Sequence, residues 1–255
     1  MPKCAVVTVC YNETDFLKMW YEYYSKHFDL SDIYIVDNGS DLGTYDGIQC
    51  NVDSIREPDA PGERRELFDH HITMPKVNKC LSLLGKYRYI LNVDTDEFVV
   101  PDPGRWPGGL RQFIEEFDGV YAQCAGYNIL DDGQCGAFDP DKKPWLMQRK
   151  YYHLDTFHYC KVVLASEDPK WEGGSHDSKW NRHHDPSTGA STGSARDDFR
   201  LFHLHYICAQ MLRRRYARRR LEVYQAADCD RAVASYFDRQ GLVRQEIPEK
   251  WRHAL

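Results

Sequence analysis

The most constraining stretch of the chain is Tyr89-Ile90-Leu91-Asn92-Val93-Asp94-Thr95-Asp96-Glu97-Phe98-Val99-Val100. Ile90 to Val93 reads as a short apolar strand that runs into three carboxylates, Asp94, Asp96 and Glu97, before a second apolar run begins. In an open α/β sheet, side chains at a strand's carboxyl end project into the crevice where ligands bind. Like charges crowded there repel one another, so the arrangement calls for a cation. Carboxylate oxygens suit Mg2+ or Mn2+, which take few protein carboxylates and complete their shells with substrate phosphates. A solvated, idle acidic turn is the plainer alternative. The apolar strand before it and Phe98-Val99-Val100 after it argue against that, and the stretch reads as a metal–phosphate site.

Length and composition bound what surrounds it. A chain of 255 residues with 42% apolar residues can form one large α/β domain or two small ones. A formal charge of −6 and a pI near 6.0 argue against nucleic acid as a general partner. No window approaches a span of ~20 apolar residues, so no membrane-crossing helix is expected. Met1-Pro2-Lys3-Cys4 leads straight into a strand and leaves no room for a signal peptide. The nine cysteines are scattered, odd in number and without a Cys-x-x-Cys, which favours reduced thiols and a cytoplasmic location.

Ahead of the acidic stretch the chain alternates strands and helices. Cys4 to Cys10 is apolar on both faces, as a buried parallel strand should be. Tyr11-Asn12-Glu13-Thr14 follows, then Phe16, Met19, Trp20, Tyr23 and Tyr24 at helical spacing, with Asn12 or Thr14 available as the cap. Ile33 to Val36 is a second strand, and Asp37-Asn38-Gly39-Ser40-Asp41 is its exit turn. Both loops fall on the same carboxyl edge of an alternating sheet, where an Asp can accept hydrogen bonds from a base or ribose. A weaker strand lies near Gln49 to Ile55, and Arg64 to Leu84 reads as a helix interrupted at Pro75, from which Asn78 could reach the nucleotide site.

Two enzyme classes place Asp-x-Asp after an apolar strand. Haloacid-dehalogenase-type phosphatases carry Thr or Val two places after the second Asp, on the first strand; here that place holds Phe98, far into the chain. Val6 to Glu13, Val36 to Ser40, Asn78 and Asp94 to Phe98 together resemble instead a family-two-type glycosyltransferase of the GT-A fold, in the branch whose metal motif reads Asp-x-Asp-Glu-Phe. The resemblance implies an α/β, Rossmann-like single domain with a mixed, mostly parallel sheet over 1–205 and a C-terminal helical extension over 206–255. Residues 1–100 would bind the nucleotide sugar and 101–205 the acceptor. Tyr11, Asn12, Glu13 and Asp37, with Asn38, Asn78 and Thr95, would line the donor pocket. Asp94 and Asp96 would flank the metal, and Glu97 would buttress its strand.

Beyond the motif, Pro107 to Phe117 reads as a short helix, and Val120 to Ala125, Trp145 to Tyr152 and Tyr159 to Ala165 as strands. Asn128 to Lys143 is a Gly- and Asp-rich loop, placed by the resemblance at the acceptor; Glu172 to Asp198 has the composition of a second. In Arg200 to Tyr206 the alternation puts His203 and His205 on one face, where they could bind a metal or sit half buried. Members of the resembled family carry a Lys, a Gly-flanked His and a His-Tyr pair in this order, and Lys161, His176 and His205-Tyr206 fit it. This implies a third metal ligand or a donor to the diphosphate, His205 ranked before His176 as the ligand, with Lys161 either a diphosphate contact or a solvated strand residue; the spacing departs from the family's, and His203 stands where Asn is common. Asp132, Glu172 and Asp177 are the candidate catalytic bases.

Tyr206 to Ala226 reads as a helix bearing Arg213-Arg214-Arg215 and Arg218-Arg219-Arg220. These encircle the helix rather than forming one stripe; a solvated helix is favoured over a basic ridge at a membrane's cytoplasmic face. The tail beyond Gly241 is expected to be loosely held. The sequence thus points to an enzyme that moves a sugar from a nucleoside-diphosphate donor, UDP before GDP, to a hydroxyl of a glycan or glycolipid, with inversion and with Mn2+ or Mg2+. A metal-dependent phosphatase or nucleotidyltransferase, or a non-catalytic carbohydrate-binding protein, is the alternative.

Overall fold

Three buried apolar runs and one short polar edge strand set the central layer of the protein, seen in a computed structural model that describes residues 3–41, 43–55, 73–131, 136–155, 159–171, 198–218 and 244–255. β1 (Cys4–Cys10), β2 (Ile33–Asp37), β3 (Asn51–Ser54) and β4 (Tyr89–Asn92) are parallel. β9 (Lys161–Ala165) joins β4 antiparallel, and β6 (Tyr121–Cys124) closes the sheet, giving the order β3-β2-β1-β4-β9-β6. A five-stranded sheet lies beyond it, ordered β11 (Arg244–Glu246), β8 (Tyr151–Asp155), β7 (Gly126–Leu130), β10 (Phe199–His203) and β5 (Glu97–Pro101). The fold is mixed α/β, its sheets flanked by helices. Its parallel run and its alternation of strand and helix follow the sequence expectation; the second, largely antiparallel sheet was not foreshadowed.

β1 is buried along its whole length because both its faces are covered. Val6 and Cys10 belong to the core shared with α1 (Thr14–Tyr24), while Ala5, Val7 and Val9 pack under α2 (Met74–Leu83). α1 buries Phe16, Leu17, Met19, Trp20, Tyr23 and Tyr24, the spacing of one helical face. Each such large side chain contributes about 1.5–3 kcal/mol on leaving water. Two of them also aim at β5: Tyr23 Oη donates to the Val99 carbonyl at 2.7 Å and Tyr24 Oη to the Glu97 carbonyl at 3.1 Å. α1 therefore holds the strand that begins with the acidic motif. The short helix expected after that strand is α3 (Gly109–Glu116), which buries Leu110, Phe113 and Ile114.

Several local expectations are corrected. Trp145–Gln148 is a 3-10 turn, with β8 starting only at Tyr151; Trp145 and Leu146, though adjacent, are both buried, which an alternating strand with one solvated face does not allow. Neither Asn12 nor Thr14 caps α1. The cap position is Glu13, without a side-chain cap, and Asn12 takes a left-handed backbone (φ 55°) in which its Oδ1 accepts the Asp41 N–H at 2.7 Å. The helix expected from Tyr206 begins as α4 (Ala209–Arg218), because the chain first turns at Leu204 to Ile207, where the Ile207 N–H donates to the Leu204 carbonyl. The tail is not loose over its described residues: β11 pairs with β8, α5 (Glu249–Arg252) buries Trp251, and the Leu255 carbonyl accepts the Trp145 N–H at 2.6 Å.

Gly126 marks the closest approach in the second sheet. A Cβ there would collide with Tyr159 Cβ and lie 3.2 Å from its Cα, so backbone as well as side chain would have to move. The Tyr159 ring in turn stacks on His203, centroid to centroid 4.0 Å. Gly126→Ala is expected to destabilise the protein by about 1–3 kcal/mol, as overpacking does. A urea midpoint equal to that of the parent would contradict this.

Candidate functional site

The acidic motif is the turn that carries the chain from one sheet to the other, since β4 lies in the first and β5 in the second. The two strands set opposite duties for its residues. Glu97 opens β5 wholly buried, and its Oε2 accepts the Asp94 backbone N–H at 2.7 Å, closing the turn. It also pairs with Lys161 Nζ at 2.7 Å. β9 runs antiparallel to β4 with Leu91 level with Leu164, so continuing the register sets Lys161 level with Asp94, 3.9 Å from its Oδ2. Lys161 is 1% exposed and is no solvated strand residue. Burial alone would lower its pKa, but Glu97 and Asp94 outweigh it and the ammonium is held above its usual value.

Asp94 is the most open of the three acids, with 27% of its side chain exposed. A second buried lysine, Lys76 from the first turn of α2, forms an ion pair with its Oδ1. Sequence reasoning did not single out Lys76; it named Asn78, which is exposed two residues further along the same helix. Residues two apart on a helix point to different sides, and which side faces the motif depends on how α2 docks.

Asp96 points into the other sheet. Its Oδ2 lies 3.1 Å from His205 Nδ1 and 3.4 Å from His203 Nε2. The cross-strand register makes the second contact: Glu97, His203 and Asn128 stand level on β5, β10 and β7. His203 Nδ1 donates to Asn128 Oδ1 at 2.5 Å, which turns Nε2 toward Asp96. The two imidazoles stack at 5.5 Å, although β10 ends at His203 and it is the turn after it, not strand alternation, that carries His205. Asp96, His203 and His205 form a group whose ligand atoms lie within 4.8 Å of one another. One carboxylate and two imidazoles are donors that suit Mn2+ and similar ions. Burial lowers the His205 pKa to about 4, assisted by Arg215, so the ring is neutral near pH 7 and can offer a lone pair. Burial opposes the charge on Asp96, yet Arg215 and His203 hold it well below the usual carboxylate range.

Arg215 is the residue that sequence reasoning missed outright. It is 7% exposed and reaches from α4 into the motif, where Nη1 pairs with Asp96 Oδ2 and lies 2.8 Å from His205 Nδ1. Its Nη2 lies 3.0 and 2.9 Å from the two oxygens of Glu13, and the guanidinium sits over the Phe16 ring at 4.9 Å. Glu13 in turn accepts the Thr95 hydroxyl. α4 is fixed by Asp131, which accepts the Ala209 N–H at 3.2 Å, and by Arg214, which bonds Asp15 at 3.0 Å. The arginine run is therefore divided: Arg213 is exposed, Arg214 is half buried and Arg215 is inside. Arg219 and Arg220 lie outside the described residues.

Next to this cluster, at the ends of β1 and β2, Asp37 is buried and accepts Tyr45 Oη at 2.6 Å, the Ser40 N–H at 2.8 Å and Ser54 Oγ at 3.2 Å. Asn12 N–H donates to Ser40 Oγ at 3.0 Å, tying the two loops together. Tyr11 is half buried beside Asn12, and the Asn38 N–H donates to the Cys10 carbonyl at 3.0 Å. Asp132, Glu172, His176 and Asp177 lie outside the described residues.

No protein-family model matches the chain, and no curated protein sequence does. Solved structures similar to it include glucosyl-3-phosphoglycerate synthase from Mycobacterium tuberculosis in complex with Mn2+, UDP and glucosyl-3-phosphoglycerate, at 16% identity and a TM-score of 0.32. That match covers 52% of this chain and 46% of the other, less than half its length. The galactosyltransferase LgtC with donor and acceptor sugar analogues is matched over 98% of this chain and 100% of the other, at 13% identity and a TM-score of 0.33. A mannose-1-phosphate geranyltransferase from Thermus thermophilus is matched over 98% and 76%, at 10% identity and 0.31. Similarities this low carry no argument about function, which rests below on this chain's own residues. No helix among the described residues is long and apolar enough to cross a membrane.

Removing one partner of a buried ion pair leaves an uncompensated charge, which costs about 3–5 kcal/mol. Lys161→Met should therefore lower stability by that order, read from urea unfolding at pH 7. A loss below about 1 kcal/mol, the size of an exposed pair, would mean that Lys161 is solvated.

Proposed function

We propose that the protein is a metal-dependent glycosyltransferase that moves a sugar from a nucleoside diphosphate, UDP before GDP, to a hydroxyl of a glycan or glycolipid acceptor with inversion. The observation that carries the reading is the gathering of Asp96, His203 and His205 beside the ends of β1, β2 and β4. There a divalent ion and the paired loops around Asp37 would be neighbours.

In this reading Asp96 and His205 hold Mn2+ or Mg2+, with His203 oriented by Asn128 as a further ligand. The ion supplies Lewis-acid neutralisation of the charge that develops on the departing diphosphate. Asp94, expected from the sequence to flank the metal with Asp96, stands outside the Asp96–His203–His205 group and completes the acidic rim, paired with Lys76 and Lys161. Thr95 fixes Glu13, and Asn12 and Asp37 present the nucleoside with a rigid, hydrogen-bonded wall, Tyr11 and Asn38 flanking it. Asp37 retains acceptor capacity after its three protein donors, because a carboxylate offers about four lone-pair sites. The base that takes the acceptor's proton belongs to Asp132, Glu172 or Asp177, and His176 to the diphosphate. Residues 1–100 carry the donor and 101–205 the acceptor, with 206–255 packed on them.

The test is a thermal-shift screen of nucleoside diphosphates with and without Mn2+, since a ligand that binds only the native state raises its stability. UDP with Mn2+ is expected to raise the melting temperature more than either alone. Asp96→Asn should lose that shift and lower sugar-transfer turnover by ~10²–10³, the usual effect of deleting one charge-stabilising group. The reading fails if no nucleoside diphosphate stabilises the protein with Mn2+, or if phosphomonoesters are hydrolysed while sugar nucleotides are left intact.

A further inference from the structure

Three potential ligand atoms, one each from Asp96, His205 and His203, converge at one point of the site. Asp96 Oδ2 accepts there. His205 Nδ1 lies 2.8 Å from Arg215 Nη1 and 3.1 Å from that Asp96 oxygen. His203 Nε2, its Nδ1–H already given to Asn128, faces the same Asp96 oxygen at 3.4 Å. The atom that answers the first two is Nη1 of the guanidinium, paired with Asp96 Oδ2. A divalent ion bonded to Asp96 and His205 would need the position Nη1 holds, and two cations cannot share it. The other end of the guanidinium is independently anchored, by both oxygens of Glu13 and by the Phe16 ring.

We propose that Arg215 and the divalent cation compete for Asp96 and His205, and that the displaced guanidinium, still tethered by Glu13 and Phe16, becomes a donor to the anionic diphosphate of the incoming nucleotide. This rests on the metal site of the proposed function and adds to it a residue that couples the two ligands. The cation alone binds against the arginine. The cation with a diphosphate binds with it, because the released Nη1 then meets phosphate oxygens, for which a guanidinium's planar fork is suited. Arg215 is thus a positioning residue toward the metal and a binding residue toward the nucleotide, and the dependence of each ligand on the other is reciprocal.

The experiment is a Mn2+ titration of the full chain, read as loss of the free-ion electron paramagnetic resonance signal, with and without UDP. Arg215→Gln should bind Mn2+ alone about tenfold tighter than the parent, within the range usual for coupled sites. UDP should tighten Mn2+ binding in the parent, and by a correspondingly smaller factor in the variant. Should Arg215→Gln not fold, as judged by circular dichroism, Arg215→Lys carries the test. One ammonium cannot bridge Glu13 and Asp96 as the fork does, so Mn2+ alone should again bind tighter than to the parent. Equal or weaker Mn2+ affinity in the folded variant overturns the proposal and leaves the metal site standing. Mn2+ binding that persists unchanged in Asp96→Asn, or is missing in the parent with and without UDP, overturns the metal site itself and the proposal with it.

Discussion

Four carboxylates, Glu13, Asp94, Asp96 and Glu97, meet where β4 hands the chain to β5, and their mutual repulsion is the constraint on which the site depends. Three are buried, and a buried charge persists only where it is paired and hydrogen-bonded. The protein answers with three cationic side chains from three different elements: Lys76 from α2, Lys161 from β9 and Arg215 from α4. Each answer requires its element to dock in one way. The docking of α2, the antiparallel insertion of β9 and the return of α4 over α1 are thereby tied to one small volume. Low effective dielectric raises the stakes of each pair, whether satisfied or broken.

The second sheet supplies what acids and cations alone do not, namely a row of polar groups in register. Glu97, His203 and Asn128 stand side by side on three adjacent strands because β10 pairs antiparallel with β5 and parallel with β7. A slip of one residue in either pairing would turn His203 to the opposite face. Tyr23 and Tyr24 secure β5 from the first layer, and the close approach at Gly126 lets Tyr159 lie on the His203 ring. Ligand orientation in the site is thus a product of strand register, enforced by packing at some distance from it.

What could be read beforehand was whatever is local in sequence. An apolar strand ending in Asp94, Asp96 and Glu97 is visible in twelve residues; the nearness of His203 and His205 was foreseen as well, though a turn rather than a continuing strand provides it. The order of strands and helices through β4 followed from periodicity, and Glu97, which the resemblance assigned to buttressing its strand, accepts the Asp94 N–H and pairs with Lys161. Lys76 and Arg215 were not legible, because their roles are set by which face a helix turns toward the motif. Arg215 stood in a run of arginines whose members look alike until the helix is docked. Trp145 and Leu146 misled for a related reason: consecutive large apolar residues resemble a buried strand, whereas here a tight turn buries both.

The Asp94-Thr95-Asp96 turn is also the direct covalent link between β4 and β5, and it therefore has a mechanical consequence. Its two aspartates are held from different layers, Asp94 by Lys76 and Lys161 beside the first sheet and Asp96 by the imidazoles at and just after the end of the second sheet's β10 and by Arg215. A pull on Asp96 is therefore passed to Asp94 through the single residue Thr95, so the seam between the sheets and the site share one geometry.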